Sequence, residues 1–403
     1  MQLTAGPVLI VTPRWVRDGG VATHAMASAA ALAESGISVH VLTARVGPEQ
    51  PIAGVTVHSS AELLSARAPS SLRVGDALAA CPTVIHMHQL DDPELVAFLR
   101  RSAPVVISMH GYSACTSGVH YFRPGHECTR PHGAGCVPNL LARGCAHTRD
   151  PRPLPSAYRS ATRAVRALTD ADLAISYSSV IDRHLAANGV APRRVLPLFT
   201  TITPRAGSGH ETRRRVLFAG RVVTPKGIGV LIRAMQAVDA ELVVCGDGWG
   251  LDAMRRLAHR LGVLERIRFT GWLAAEALAQ ELADASVVAM PSLWPEPFGL
   301  IGIEALAAGR PVIASATGGV IDWLTDRVNG LLVRPGDAPA LAKALDELLG
   351  DPARQQAMGA AGREMVADRF SPERHIAALL DAYGVARAAW ESGRPTGLAA
   401  SRM

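Results

Sequence analysis

The feature that most constrains the fold of this chain is an alternation of short apolar segments with helical ones, which occurs twice along the sequence. Short apolar runs are typical of strands buried on both faces of a parallel sheet. The predicted strands are Val8–Val11, Val39–Thr43, Val84–His88, Val105–Met109, Leu173–Ser176, Arg215–Ala219, Glu241–Cys245, Ile267–Thr270, Val287–Met290, Pro311–Ala314 and Gly330–Val333. The predicted helices between and after them include Val21–Ser35, Pro93–Arg101, Gly229–Val238, Leu251–Leu261, Ala274–Ala283, Pro339–Leu349 and Pro372–Trp390. This alternation predicts an α/β fold with two doubly wound parallel sheets.

The two strand systems are separated by Pro197–Glu211, a stretch rich in Pro, Thr, Gly and Ser. Two domains also suit a length of 403 residues, because a domain typically has roughly 100–200 residues. We expect a first domain over residues 1–200, a second over residues 201–371, and a helix and tail over residues 372–403 that return to the first. Ligands of such folds bind at the carboxyl ends of the strands, so the expected site lies in the cleft between the domains.

Glu304 lies within a short predicted helix that Gly299 opens and that Gly309 and Pro311 close. The helix is apolar nearly all round, so we expect it to be buried. A buried carboxylate is costly unless a hydrogen-bond donor reaches it, and the paired hydroxyls of a ribose would supply such donors. The alternative interpretation is that Glu304 caps a neighbouring helix.

Glu296 stands eight positions earlier, in a loop stiffened by Pro295 and Pro297, which cannot continue the preceding strand. The first-turn amides of the following helix point back toward this loop and are suited to hold a diphosphate. The residues that would supply these contacts are Phe298, Gly299, Leu300 and Ile301. The alternative interpretation is that Glu296 is a solvated loop residue.

Arg221 and Lys226 form a second set of candidate ligand contacts, in a loop between the first strand and first helix of the second domain. Arginine suits bidentate contact with a phosphate and lysine a point contact, so the pair predicts a diphosphate-binding site. Gly246 and Gly248 follow the next strand, but their spacing is not that of the dinucleotide fingerprint, so we do not expect NAD.

The first domain supplies two further candidates. Gly19 and Gly20 follow the first strand and precede a helix, and paired glycines there allow close approach to a phosphate or sugar. His110 ends the strand Val105–Met109 at the expected cleft, where it would hydrogen-bond a sugar hydroxyl or move a proton. The alternatives are an ordinary turn for the glycines and a structural role for the histidine.

In their order and context, the segment Pro291–Val312, the Arg221–Lys226 loop, the glycine pairs and His110 resemble the family-4 retaining glycosyltransferases of the GT-B fold, of the bacterial group-1 type. The resemblance covers nearly the whole chain and is most specific from Arg221 to Pro335. It implies two Rossmann-like domains facing across a cleft, with the last helix crossing back. It also implies transfer of a sugar from a UDP- or GDP-linked donor to an acceptor hydroxyl with retention of configuration.

The same resemblance implies a role for each motif. Glu296 would hold donor-sugar hydroxyls, Glu304 the ribose, and His110 the C6 region of the sugar. Arg221 and Lys226 would hold the leaving diphosphate, which itself helps to take the acceptor proton, so neither a protein nucleophile nor a catalytic metal is expected. The glycines expected against the donor are Gly19, Gly20, Gly246 and Gly248.

Two other functions fit the same fold. A sugar-nucleotide epimerase of the GT-B type would share the diphosphate site but would isomerise a sugar without an acceptor. A catalytically silent partner subunit of another glycosyltransferase would be expected to lose the Glu pair or the Arg/Lys pair, and both are intact here.

The segment 111–155 is the part least expected of the family. It carries Cys115, Cys128, Cys136 and Cys145, and also His120, His126, His132 and His147. In a cytoplasmic protein such clustering favours a structural zinc site that would order a long polar loop, although no C-x2-C pair is present. Free thiols, disulfides and an iron–sulfur cluster are the alternatives. Because the segment follows His110 directly, it is also the candidate for acceptor recognition.

The expected location is the cytoplasm. No run of about 18 apolar residues, the length of a membrane span, occurs, and Met1–Pro7 lacks the charged start of a signal peptide. A net charge of +6 and arginines around the helix after the cysteine segment, namely Arg143, Arg149, Arg152, Arg159, Arg163 and Arg166, suit peripheral contact with anionic lipid. A solvated helix face is the alternative, and no nucleic-acid-binding module is recognisable.

Overall fold

The computed structural model describes residues 6–17, 19–48, 51–64, 75–118, 127–142, 144–145, 152–200, 202 and 214–393. Its first seven strands form one parallel sheet in the order β3-β2-β1-β4-β5-β6-β7. They are β1 Val8–Trp15, β2 Val39–Val46, β3 Val55–Ser59, β4 Val84–His88, β5 Val105–Met109, β6 Leu173–Ser176 and β7 Arg193–Val195. The helices of this half are α1 Gly20–Glu34, α2 Gly75–Ala79, α3 Pro93–Leu99, α4 Cys136–Ala142, α5 Leu154–Asp170 and α6 Ser179–Ala187.

The second sheet is also parallel and has the order β10-β9-β8-β11-β12-β13. Its strands are β8 Arg215–Ala219, β9 Glu241–Cys245, β10 Ile267–Gly271, β11 Val287–Met290, β12 Val312–Ser315 and β13 Gly330–Val333. The remaining helices are α7 Ile228–Ala234, α8 Leu251–Arg260, α9 Ala275–Asp284, α10 Leu300–Ala307, α11 Ala338–Leu349, α12 Pro352–Arg369 and α13 Pro372–Ser392. In both sheets the strand order reverses beside the first strand, and a ligand site is expected at such a switch point.

Both faces of the first sheet are covered. Val8 and Ile10 on β1 pack in one hydrophobic core together with α1 and α13, whereas Leu9 and Val11 pack in another core together with α3 and α5. This alternation along a single strand is what a doubly wound sheet requires, because successive side chains point to opposite faces. The predicted fold class is therefore confirmed.

The crossing of the last helix is confirmed as well. α13 packs against α1, β5 and β6 of the first sheet. Tyr383 Oη lies 2.9 Å from His86 Nδ1 on β4, and Trp390 donates its indole N–H to the carbonyl of Arg100 at 2.8 Å. These polar contacts, of which the one between Tyr383 and His86 is buried, fix the position of the helix along the sheet.

Two strands and one long helix were not predicted. β3 is an edge strand with exposed and half-exposed residues, and β7 has only three residues, so neither carries the apolar run that marked the other strands. α12 is rich in Ala, Gly, Gln and Arg and buries only a few of its residues, so its sequence shows little helical periodicity. The predicted domain boundary at residue 200 stays a prediction, since residues 201 and 203–213 lie outside the described residues.

Across the described residues, no helix combines the length and the apolar composition that crossing a membrane requires.

Gly302 of α10 lies directly against the buried indole of Trp323. A methyl carbon added at Gly302 would stand 2.0 Å from Trp323 Cη2, and Trp323 is only 1% exposed, so it has no room to move aside. We therefore expect Gly302→Ala to lower the free energy of unfolding by about 1–3 kcal/mol, the usual cost of overpacking. Urea unfolding followed by circular dichroism measures it.

The matched control is Gly229→Ala in α7, where the nearest atoms would lie at 3.5 Å. There the helix preference of alanine should leave stability unchanged or raise it by up to ~1 kcal/mol. Equal effects of the two substitutions would contradict the proposed packing.

Candidate functional site

An ion pair between the half-buried Lys226 and the buried Glu296 joins the loops that follow β8 and β11. Lys226 Nζ donates to both carboxylate oxygens of Glu296, at 2.7 Å and 3.0 Å. Ser292 and Trp294 donate to Glu296 Oε1 as well, at 2.5 Å and 3.0 Å. Glu296 is 2% exposed, so the alternative of a solvated loop residue does not fit the structure.

The environment of Glu296 keeps its carboxyl ionised. Burial by itself raises the pKa of Glu296, but the charge of Lys226 and the hydrogen bonds from Lys226, Ser292 and Trp294 outweigh it, so the pKa is lowered overall. The carboxylate is thus held with a fixed charge and orientation at the carboxyl end of the second sheet.

Close backbone packing holds the two loops together. Leu293 donates its N–H to the carbonyl of Pro225 at 2.8 Å. Gly227 has a left-handed φ of 70°, and a Cβ there would stand 1.8 Å from the carbonyl oxygen of Pro291. Gly318 is similarly tight, since its Cβ would lie 2.3 Å from the amide nitrogen of Glu296. The glycines are therefore required for the ion pair to form at this position.

Arg221 lies on the exposed surface of its loop, whereas Lys226 is turned toward Glu296. Gly246 and Gly248 pack against the backbone of the Arg221 loop. A Cβ on Gly246 would stand 2.0 Å from the Gly220 oxygen, and a Cβ on Gly248 would stand 2.5 Å from the Val222 oxygen. Val222 also donates its N–H to the carbonyl of Asp247 at 2.8 Å. The structure therefore gives these two glycines a packing role, which is compatible with the predicted ligand contact and does not test it.

The helix after Glu296 has the predicted position. Gly299 precedes α10 with a φ of 92°, and Leu300 and Ile301 form the first turn, where backbone N–H groups point out of the helix. The Phe298 side chain is buried against Phe370, at a ring distance of 5.9 Å, so it anchors this turn in the core. Its contribution to a ligand would come from its backbone.

Glu304 is buried on α10 and is 8% exposed. Burial alone raises the pKa of Glu304 to about 7. Glu296 and Glu304 thus differ sharply: Glu296 has a cation and several donors, whereas burial is the cause of the raised pKa of Glu304 and the described residues supply it with no ion pair. A buried carboxylate of this kind, in the second turn of α10, is suited to accept hydrogen bonds from a ligand.

His110 lies at the carboxyl end of β5 within a histidine-rich cluster. Its Nε2 lies 2.9 Å from His88 Nδ1 and 3.4 Å from the hydroxyl of Tyr177. Burial, followed by repulsion from His88, lowers the pKa of His110 well below its usual value, so the ring is neutral at physiological pH. The ring of His24 on α1 is 5.8 Å away. Gly19 and Gly20 begin the same helix, and a Cβ on either would meet open space.

Hydrogen bonds across the domain interface join the His110 region to the Glu296 loop. Tyr112 donates its hydroxyl to the carbonyl of Pro295 at 3.0 Å, and Ser178 donates to the carbonyl of Pro297. Ser179 donates its N–H and its hydroxyl to Asp322, at 2.7 Å and 2.6 Å. Sequence reasoning missed these residues, since a single tyrosine, serine or aspartate gives no signal of its partner in another domain.

The four predicted cysteines come together in the structure. Cys115, Cys128, Cys136 and Cys145 line one cavity of about 50 Å³, together with His132 and His184. Burial, and after it repulsion among the four thiols, raises the pKa of Cys145 to about 11. Among the described residues, no group of three or more His, Cys, Asp or Glu side chains is gathered closely enough to hold a metal ion, so zinc binding stays a prediction. His120, His126 and His147 lie outside the described residues.

Two arginines of α5, Arg163 and Arg166, form ion pairs with carboxylates. Arg163 contacts Asp92 and Glu94, and Arg166 lies 3.5 Å from Asp170. These contacts favour a solvated helix face over a surface held ready for anionic lipid. Arg143 and Arg149 lie outside the described residues.

Solved structures with the same architecture include the sucrose-phosphate synthase of Thermosynechococcus elongatus, with a TM-score of 0.71 and 22% identity over 95% of this chain and 100% of that one. The HepE protein of Anabaena in complex with UDP-glucose has a TM-score of 0.69 and 18% identity, over 93% of this chain and 99% of the HepE chain. The fold is therefore that of the GT-B glycosyltransferases. Two family profiles also match, "Glycosyl transferase 4-like domain" over residues 19–198 and "Glycosyl transferases group 1" over residues 202–365. The chain belongs to the family-4 glycosyltransferases.

Curated relatives match over part of their length. The D-inositol 3-phosphate glycosyltransferase of Xylanimonas cellulosilytica is 36% identical over 53% of this chain and 54% of its own. The GDP-mannose-dependent alpha-(1-6)-phosphatidylinositol monomannoside mannosyltransferase of Mycolicibacterium smegmatis is 36% identical over 40% of this chain and 45% of its own. The chain thus spans about half of these relatives.

The raised pKa of Glu304 predicts how stability depends on pH. Burial raises the pKa of Glu304 in the folded protein to about 7, against 4.5 for an ordinary glutamate, so the contribution of Glu304 to stability decreases as the pH rises from about 4.5 to about 7. Glu304→Gln removes this loss. Without ligand, the variant should equal the wild type below about pH 4.5 and exceed it above pH 7 by about 3 kcal/mol, since each unit is worth about 1.4 kcal/mol. Urea titrations at a series of pH values measure the difference, and parallel curves would contradict it.

Proposed function

We propose that this protein is a glycosyltransferase that moves a sugar from a nucleoside-diphosphate sugar to an acceptor hydroxyl with retention of configuration. The observation that carries the proposal is the ion pair between Lys226 and the buried Glu296 at the switch point of the second sheet. Across the domain interface, the Tyr112–Pro295 hydrogen bond brings the region after His110 to the same loop. Family membership supports the same class of reaction.

Charge explains how a donor would bind. Without donor, Lys226 neutralises Glu296; a diphosphate would compete for the ammonium group and leave the carboxylate to accept hydrogen bonds from sugar hydroxyls. Ser292 and Trp294 would keep Glu296 oriented during this exchange, because both also donate to its Oε1 atom. Arg221, on the exposed surface of the neighbouring loop, would add a second cation to the diphosphate.

The helix α10 would hold the rest of the donor. The amides of Leu300 and Ile301 suit phosphate oxygens, and Glu304 suits the paired hydroxyls of the ribose. Those hydroxyls would donate to the carboxylate and favour its charged form, which offsets part of the cost of burying it. Nucleotide binding should therefore lower the pKa of Glu304.

No protein side chain near Glu296 is placed as a nucleophile in this proposal. The leaving diphosphate, stabilised by Arg221 and Lys226, would accept the proton of the incoming acceptor hydroxyl, which then forms the new bond on the face that the diphosphate leaves. His110 is neutral at physiological pH, so it would hydrogen-bond the sugar without adding charge. Electrostatic stabilisation of the leaving group would then supply most of the catalysis.

The names of the similar proteins suggest which nucleotide sugars to consider as donor. The Mycolicibacterium smegmatis protein is GDP-mannose-dependent, and the Anabaena structure contains UDP-glucose. We therefore propose a UDP- or GDP-linked hexose as donor and a saccharide, lipid-linked sugar or small metabolite as acceptor. Thermal-shift screening with both nucleotides, alone and as sugar conjugates, would identify the donor.

Removing either cation should slow turnover strongly. With the identified donor, Arg221→Ala and Lys226→Ala should each lower kcat about 100-fold or more, the scale for loss of one charge-stabilising group. Arg256→Ala and Lys343→Ala, at exposed positions on α8 and α11, are the matched controls and should leave kcat unchanged. Release of nucleoside diphosphate and formation of glycoside are both quantified by chromatography.

Lys226→Ala also leaves the buried Glu296 charge without its partner, which by itself costs about 3–5 kcal/mol of stability. The double variant Lys226→Ala/Glu296→Gln separates the two effects, because it removes both charges. Near-normal kcat in the folded double variant and in Arg221→Ala would overturn the assignment. Conversion of the donor to an isomer without any acceptor would identify an epimerase instead.

A further inference from the structure

The cavity in the cysteine segment has an unusual composition. Four of the six cysteines of the chain line it, although they are separated by up to thirty positions in sequence. Cys115 lies shortly after β5, Cys136 begins α4, and Cys145 is buried. The fold thus brings these thiols together from separate parts of the segment. Cysteines placed at random along the segment would not be expected to line one cavity.

Polar groups already surround the sulfur atoms. Ser117 Oγ lies 3.3 Å from Cys115 Sγ, and Cys145 Sγ lies 3.8 Å from the same hydroxyl. The backbone N–H of Arg130 donates to the thiol of Cys128, and the Arg130 side chain also lines the cavity. A hydroxyl, a backbone N–H and a nearby cation are groups that can stabilise the negative charge of metal-bound thiolates.

The donor set selects the type of metal. Among the residues that the structure describes, no carboxylate lines the cavity, whereas calcium and magnesium require oxygen ligands. His132 is engaged on both ring nitrogens, by Thr116 at 3.0 Å and Thr162 at 2.8 Å. The thiols are therefore the candidate ligands, and four thiolates in tetrahedral arrangement are the usual ligand set of structural zinc.

We propose that Cys115, Cys128, Cys136 and Cys145 bind one structural zinc ion in this cavity. Because the sulfur atoms are not gathered at coordination distance, the side chains must rotate toward the centre of the cavity as the ion binds. Each thiol that becomes a ligand releases its proton to solvent, so uptake of the ion is accompanied by proton release.

The position of the site gives it a structural consequence for the cleft. The ring of His184, which lines the cavity, packs edge-on against Tyr112 at 5.8 Å. Tyr112 in turn donates to the carbonyl of Pro295, directly before Glu296. A bound ion would thus order the wall of the cleft beside the proposed donor site, on the side where the cysteine segment leaves His110.

Metal analysis of the purified full-length protein tests the proposal. Elemental analysis should find about one zinc per chain, and X-ray absorption should show sulfur ligands at about 2.3 Å. Replacing the ion with Co²⁺ should give the intense absorption of tetrahedral cobalt–thiolate coordination. These measurements use the wild type, so they do not depend on whether a variant folds.

Variants and thiol labelling complete the test. Cys128→Ser and Cys136→Ser should lose most of the zinc, whereas the control Cys81→Ser, at an exposed cysteine outside the cavity, should keep it. In the native wild type, the four thiols should react with iodoacetamide only after a chelator is added. A protein without metal after zinc reconstitution, with four reactive native thiols, would overturn the proposal, as would two disulfides found by non-reducing mass spectrometry. Because zinc content is measured independently of turnover, failure here leaves the glycosyltransferase proposal intact.

Discussion

The ion pair between Lys226 and Glu296 is the interaction on which the rest of the site depends. A buried carboxylate is tolerated only with a cation and donors around it, and here they come from the loops after β8 and β11. Both loops must therefore approach closely, which explains the glycines at positions 227 and 318, where a Cβ would collide with the facing backbone. The close approach of the loops after β8 and β11 thus allows Lys226 to compensate the buried charge of Glu296.

The two glutamates of this segment have different electrostatic environments. Glu296 is ionised and held by protein groups, whereas burial raises the pKa of Glu304 to about 7. The burial of Glu304 therefore costs free energy when its carboxyl is ionised. A nucleotide that brought donors to Glu304 and anionic oxygens to Lys226 would relieve part of that cost, so its binding affinity would depend on the charges of both residues.

Hydrogen bonds across the domain interface connect the Glu296 loop to the first domain. The contacts from Tyr112 and Ser178 reach the carbonyl groups on either side of Glu296, at Pro295 and Pro297. On the same side, α13 returns to the first sheet and places Tyr383 against His86. The same polar layer beneath the first sheet's carboxyl edge contains His88 and His110, so the crossing helix and the candidate site share one buried hydrogen-bonded region.

The sequence by itself determined the two sheets, most strand positions and the motifs at their carboxyl ends, because buried parallel strands and glycine loops leave local patterns. It could not give the exposed strand β3 or the helix α12, whose residues have little periodicity. Only the tertiary structure decided that Lys226 faces Glu296 and that Tyr112 bonds to Pro295. It also decided that four scattered cysteines share one cavity. Such contacts join residues far apart in the chain, and their geometry depends on the packing of two domains that no local pattern encodes.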